Sequence, residues 1–240
     1  MKYSQFEQFQ ATLAHESQEK FLFYAGFTPD LQHRFSEYLN LKPREQIGER
    51  IGMFMPVNVT PMPLDKPDKN DLEERFGKYF EGAEQPEGSY INGLGVLNTP
   101  GSMYHFTHYI SPLRNSTSMQ EIENFKYYPG YGGFNVSHMA AQVQKAHAMG
   151  RVTVCFIGHM YEDACQISEY AAFLADMLLN PEHCEYILDK VTERNIYFVE
   201  SAAKAGVDFI RTGDDVANQN NMMFSHKVWQ KFIKTRWAKV

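Results

Sequence analysis

The chain has 240 residues, 43% hydrophobic and 22% charged, which suits a folded domain with a sizeable core and excludes the composition of a disordered chain. Its net charge of −6, from 23 basic and 29 acidic side chains, offers no basic field for counterion release, so no nucleic-acid partner is expected. The N-terminal segment lacks a leader-like apolar run, and no stretch reaches the roughly 18 apolar residues of a membrane span, so a soluble, cytoplasmic chain without a membrane partner is expected.

In the first half, FLFYAGF (21–27) reads as an initial strand. Thr28 and Pro29 open a helix to about Asn40, and PREQIGERIG reads as a second, short helix. Proline and lysine dominate residues 57–69, the mark of a surface excursion. SYINGLGVLNTPGSMYHFTHYISPL, rich in glycine and aromatics, predicts a hairpin or meander. SMQEIENF follows as a short helix, with Ser118 as its cap and Glu121 at the capping-box position.

The second half is more regular. NVSHMAAQVQKAHAMG carries apolar residues at helical spacing and stops at Gly150, a natural left-handed cap. RVTVCFIG is apolar on both faces, as a parallel strand covered by helices would be. A helix is predicted from about 160 to 179, with Ala164, Ile167, Ala171, Leu174 and Leu178 on one stripe. Asn180 and Pro181 start another, 181–205, which Gly206 ends. Residues 207–211 form the next strand, GDDVANQNN a loop, and Ser225 opens a last helix. The basic face of that helix (Lys227, Lys231, Lys234, Arg236, Lys239) is expected to be solvated.

This order predicts parallel α/β architecture in a single domain, 1–240. The apolar stripe of the last helix runs to Val240 without closure, so the chain is expected to be C-terminally incomplete. If these residues were the whole product, the open sheet edge would predict instability or a homodimer. The three cysteines (Cys155, Cys165, Cys184) are an odd number without a C-x-x-C pair, and reduced thiols are expected, Cys155 as core.

From GHMYE (158–162) through the NPE break (180–182) to DFIRTGDDVANQ (208–219), order and spacing resemble the uroporphyrinogen decarboxylase superfamily. The resemblance is strongest over 135–240 and extends backward through SPLRNSTSMQEIENFKYYP. It implies a (β/α)8 TIM barrel, here its N-terminal portion, with strands near 21, 152 and 207 and another near 91. It also implies one of two chemistries: decarboxylation of uroporphyrinogen without a cofactor, or zinc-dependent methyl transfer involving corrinoid proteins or thiols such as coenzyme M. Decarboxylases of the superfamily hold substrate carboxylates with an arginine-rich stretch after the first strand. FLFYAGFTPD has no arginine there, and Asn92 stands in INGLGV where the decarboxylase aspartate is expected. Both departures favour a methyltransferase-like or uncharacterised branch over the authentic decarboxylase, a lyase; a non-catalytic binding relative is a further alternative. The methyltransferases' best-known zinc ligands would lie beyond Val240, so no metal ligand is expected within this chain.

In a parallel barrel, functional groups collect where strands end. Asp214 and Asp215, there, could hold substrate N–H groups, a cationic centre or a metal; capping the helix at Ser225 is the simpler alternative. Glu162 and His159 follow the VTVCFIG strand and would face the same mouth, His159 as acid, base or ligand. Glu162 alternatively only meets the positive end of a helix dipole. Glu162, Asp215 and Asp214 are therefore the expected catalytic residues, with His159, Tyr161, Gln219, Arg211, Asn92 and His105 as substrate-binding residues. His105 and His108, three apart on a strand, would point to opposite faces and could not share one metal unless the backbone turns. A small-molecule or tetrapyrrole substrate, and a corrinoid protein as partner, complete what the resemblance implies.

Overall fold

The computed structural model describes residues 4–17, 20–42, 46–64, 67–102, 107–126 and 133–240. In chain order the elements are α1 (Gln5–Leu13), α2 (Pro29–Tyr38), α3 (Ile47–Ile51), β1 (Val57–Asn58), β2 (Met62–Pro63), α4 (Lys69–Phe76), a 3-10 turn (Gly77–Phe80), β3 (Tyr90–Ile91), β4 (Leu97–Pro100), β5 (Thr107–Ile110) and α5 (Met119–Asn124). Next come β6 (Phe134–Asn135), α6 (Met139–Ala148), β7 (Thr153–Phe156), α7 (Tyr161–Ser168), α8 (Tyr170–Leu179), α9 (Pro181–Ala205), β8 (Phe209–Arg211), α10 (His226–Trp229), a π-helical turn (Gln230–Lys234) and α11 (Thr235–Trp237). This is a mixed α/β chain with small sheets, and it packs as two compact units.

The first unit gathers residues Met1–Thr60, Ser137–Cys155 and Ala202–Ile210. Its sheet has the order β1-β7-β8, with β1 and β7 parallel: Val57 N–H donates to the Val152 carbonyl and Val59 N–H to that of Val154. Val59, 0% exposed, and Val152, Val154 and Cys155 are buried, as are Met139, Val143 and Ala146 of α6. Asp208 ties β8 to β7, accepting from Thr153 N–H and Oγ1 (both 2.7 Å) and from His147 Nε2 (2.9 Å). Burial opposes ionisation, yet the Thr153 N–H and the His147 bond hold the Asp208 carboxyl below its usual range. Gly150, at φ 65°, ends α6 as expected.

Here two expectations give way. Residues 21–27 form no strand: Phe21 is 94% exposed, and aromatic β-propensity without a paired neighbour does not make a strand. The parallel partner of β7 is instead β1, inside the stretch expected to be a surface excursion. Pro56, Pro61 and Pro63 disguised it, because they flank a strand only two residues long.

The second unit gathers Pro61–Val136, Phe156–Ser201 and Arg211–Val240. β3, β4 and β5 form an antiparallel meander, as the glycine-rich stretch predicted, and β2 pairs antiparallel with β6. The core joins Phe76, Phe80, Leu97 and Ile122 to Tyr161, Phe173, Leu188, Phe232 and Ile233. Ser118 and Glu121 form the predicted capping box of α5, and Ser225 Oγ accepts from Val228 N–H at 3.2 Å to start the last helical run. Ser225→Ala should lower stability by about 1 kcal/mol in a thermal melt, as cap losses do.

The single helix expected over 160–179 is two. Glu169, at φ 85°, breaks it, and its carboxylate caps α8 by accepting from Ala171 and Ala172 N–H (3.1 and 2.8 Å). The break moves the buried face of α8 to Phe173 and Met177 and leaves Leu178 73% exposed, so the uninterrupted stripe through Leu178 does not hold. Arg236 likewise leaves the expected solvated face. It is buried, its Nε donates to Asp189 Oδ1 at 2.8 Å, and its two terminal nitrogens reach the Phe232 and Glu185 carbonyls.

All three cysteines are buried and free, and burial pushes the thiols of Cys155 up to about 11 and Cys184 up to about 12, so they are inert as nucleophiles at neutral pH. Among the described residues no helix is long and apolar enough to cross a membrane.

Candidate functional site

Within the second unit, the segment after β7 meets the segment after β8. Ile157 N–H donates to the Arg211 carbonyl (3.0 Å) and Thr212 Oγ1 to that of Gly158 (2.8 Å), which aligns the two chains. Gly158 has φ 89°, and a Cβ there would lie 2.7 Å from Arg194 Nη2, so both the turn and the close approach demand glycine. The chain then enters α7, whose first turn brings Glu162 and Asp163 beside His159.

Asp214 reaches back across this junction. Its Oδ1 accepts from the N–H groups of Met160, Tyr161 and Glu162 (3.1, 2.9 and 3.2 Å), and its Oδ2 accepts from Trp237 Nε1 at 3.0 Å. These are the orphan donors of a helix start, met by an acid more than fifty residues away in sequence. Burial pushes the Asp214 carboxyl up, against the pull of those donors. The geometry gives Asp214 the task of a cap, on α7 rather than on the helix at Ser225.

Glu162 and His159 stay partly open, with side chains 32% and 33% exposed. Glu162 Oε2 lies 3.5 Å from His159 Nε2 and accepts from the Asp215 N–H at 3.3 Å, while the Asp215 side chain faces solvent. His159 Nδ1 lies 3.7 Å from Asp163 Oδ1. Asp163 is buried, and its Oδ2 accepts from Arg194 Nη2 at 2.6 Å. Arg194, also buried, donates further to the His159 carbonyl (3.3 Å) and, through Nε and Nη2, to Asn195 Oδ1 (3.1 and 2.8 Å). Burial works against the Asp163 charge, but His159 and the Arg194 guanidinium hold its carboxyl below the usual range.

The structure thus brings Glu162, Asp214, Asp215 and His159 together. Arg211 is exposed, its guanidinium 5.0 Å from the Phe156 ring centroid. Phe156 in turn packs edge-on against His159 at 5.4 Å. Gln219 is exposed in the loop after β8. Tyr161 is 1% exposed and part of the core, and burial raises its phenol. Asn92 closes its own turn, accepting from Leu94 and Val96 N–H (2.9 and 3.1 Å). His105 lies outside the described residues; His108, on β5, is exposed.

Asp163 and Arg194 escaped the sequence reading. Asp163 stands next to Glu162 and would have been found by asking which acid of a first helical turn faces inward. Arg194 gives no local signal, because its partner lies 31 residues away.

No family model matches the chain, and no curated protein matches it. Among solved structures, a methyltransferase from Methanosarcina mazei is similar in fold, with a TM-score of 0.54 and 15% identity, over 99% of this chain and 66% of that one. The chain therefore spans about two thirds of the length of that structure, and at this identity the likeness is one of fold.

Proposed function

We infer that the chain belongs to an enzyme of the uroporphyrinogen decarboxylase superfamily, in its methyltransferase-like branch, and supplies the N-terminal strands of a (β/α)8 barrel. The observation that supports this is the likeness of fold to a methyltransferase over 99% of the chain. The motif order over residues 135–240 and the lack of an arginine in FLFYAGFTPD point the same way.

In this reading Glu162, Asp215 and His159 face the substrate at the mouth after β7 and β8, with Arg211 and Gln219 at its rim. Asp214 serves by fixing the first turn of α7, and with it the position of Glu162. Tyr161, Asn92 and His105 are the remaining substrate-binding candidates, and Tyr161 supports the mouth from the core side. The resemblance to the methyltransferase branch implies zinc. Among the described residues no group of three His, Cys, Asp or Glu side chains could hold a metal ion. The chemistry proposed for Glu162, Asp215 and His159 is acid–base and electrostatic.

The test is methyl transfer from methylcobalamin to 2-mercaptoethanesulfonate, followed by the absorbance change as the corrinoid loses its methyl group. Transfer is expected, and Glu162→Gln should slow it by about 100-fold, the ordinary contribution of a placed carboxylate. Absence of transfer, with release of coproporphyrinogen from uroporphyrinogen, would replace this reading by the lyase.

A further inference from the structure

We propose that the elbow between α7 and α8 carries a binding site separate from the mouth, for a small primary ammonium on a short apolar stem. None of the mouth residues lines it, and it does not depend on which reaction the mouth performs. Its origin is the break at Glu169, where a positive φ interrupts the helical run directly after Ser168. Between that elbow, α5 and the start of α9, the second unit keeps a cavity of about 310 Å³, its open side included. Pockets for small molecules begin at about this size, so the occupant is small.

The lining has two characters. Leu113, Ile122, Phe173 and Ile187, all buried, give it an apolar side. Ser116, Ser168, Asp176 and His183 give it a polar one. Ser168 Oγ is shut off from solvent and has no hydrogen-bond partner, a state that folded proteins seldom leave uncompensated. The acid and the imidazole are set in advance. Asn180 Nδ2 donates to Asp176 Oδ1 at 2.7 Å, and His183 Nδ1 lies 3.3 Å from Asp176 Oδ2. His183 is only 8% exposed, and with Nδ1 turned to Asp176, Nε2 is the ring nitrogen left for an occupant.

These groups select a donor. Hydroxyls, a carboxylate and an imidazole whose proton sits on Nδ1 all accept hydrogen bonds; an ammonium brings three donors, an alcohol one and a carboxylate none. Charge selects in the same direction. Asp176, Glu185 and Glu182 act on the thiol of Cys184, which lines the cavity, with Arg236 as the base opposing them. Glu185 is paired with Lys231 at 3.0 Å and Arg236 with Asp189 at 2.8 Å, so those charges offset one another. Asp176 and Glu182 remain. Among the described residues no lysine or arginine stands within ion-pair distance of Asp176, whose one such neighbour is His183. A cation with an apolar stem thus meets unpaired acceptors at one end and buried side chains at the other.

The experiment titrates the full chain with isobutylammonium chloride, against sodium chloride of equal ionic strength, and follows the 13C-labelled isoleucine methyls by NMR. Ile122 and Ile187 should shift saturably, with a Kd of about 1 mM or tighter, while Ile157, which does not line the cavity, stays in place. Isobutanol, of the same shape without the charge, should bind at least about 10-fold more weakly, because it loses the charge-assisted bonds. Ser168→Ala should weaken the ammonium several-fold. Ala172→Leu fills the cavity from α8 without touching a polar group, and should abolish binding in a chain that melts like the wild type. Shifts that do not saturate by about 50 mM overturn the proposal and leave the cavity to water. Equal affinity for isobutanol overturns the choice of a cation, and binding that survives Ala172→Leu overturns the location.

Discussion

Arg194→Met should destabilise the folded chain by about 3–5 kcal/mol, because it leaves the Asp163 carboxylate buried and without its guanidinium. Urea unfolding at neutral pH checks this. Removing both charges, with Asp163→Asn added, should recover part of the loss, since the penalty arises from an uncompensated charge rather than from missing volume. The pH dependence has a definite sign. Asp163 titrates below its usual range in the fold, so its contribution is full above the unfolded value and is lost as pH falls through the folded one. His159 titrates high, so its contribution is full below the unfolded value and is lost as pH rises through the folded one. The cluster is therefore most stabilising between these limits, and the Arg194→Met deficit should shrink in acid, where a protonated Asp163 no longer needs a cation.

Asp214→Ala should also be severe, at about 3–5 kcal/mol, because it strands the first N–H groups of α7 together with the Trp237 indole N–H. Asp214→Asn, which keeps one acceptor oxygen, should cost less. Trp237→Phe removes a single bond and should cost only about 1 kcal/mol. Loss of the Trp237 contact is readable as a shift of tryptophan emission, with Trp229 as the second fluorophore of the chain. If Asp214→Ala melts with the wild type, the capping role is wrong and the carboxylate is free for substrate.

How much of this was legible depends on the range over which each residue acts. α9 spans Pro181–Ala205, the limits that Pro181 and Gly206 announce, because both ends are set by local backbone preference. The box at Ser118 and Glu121 is local in the same way. That Glu162, His159 and the acids after β8 share one place followed from strand ends, which needs only the order of elements. Which acid is spent on a helix start and which stays open did not follow. Asp214 and Asp215 are neighbours of one type, and only the approach of α7 and Trp237 separates their roles. Arg236 looked like a surface base and Arg194 gave no signal, because their partners, Asp189 and Asp163, are 47 and 31 residues away. The strand at Val57–Asn58 was hidden because two residues carry no period.

The distance between Asp214 and the helix it caps also orders the assembly of the molecule. An eight-residue helix cannot hold itself in water, and the donors of its first turn have no partner until residue 214 arrives, 53 positions after Tyr161. During synthesis, α7 can thus be covered by its core contacts yet stay frayed at its start until β8 has been made and docked. The mouth is then among the last parts of the second unit to gain its final shape, since closing a long loop must precede the contact that rewards it. Pulse-labelled amide exchange would see this as late protection of Tyr161 and Glu162, well after that of α9.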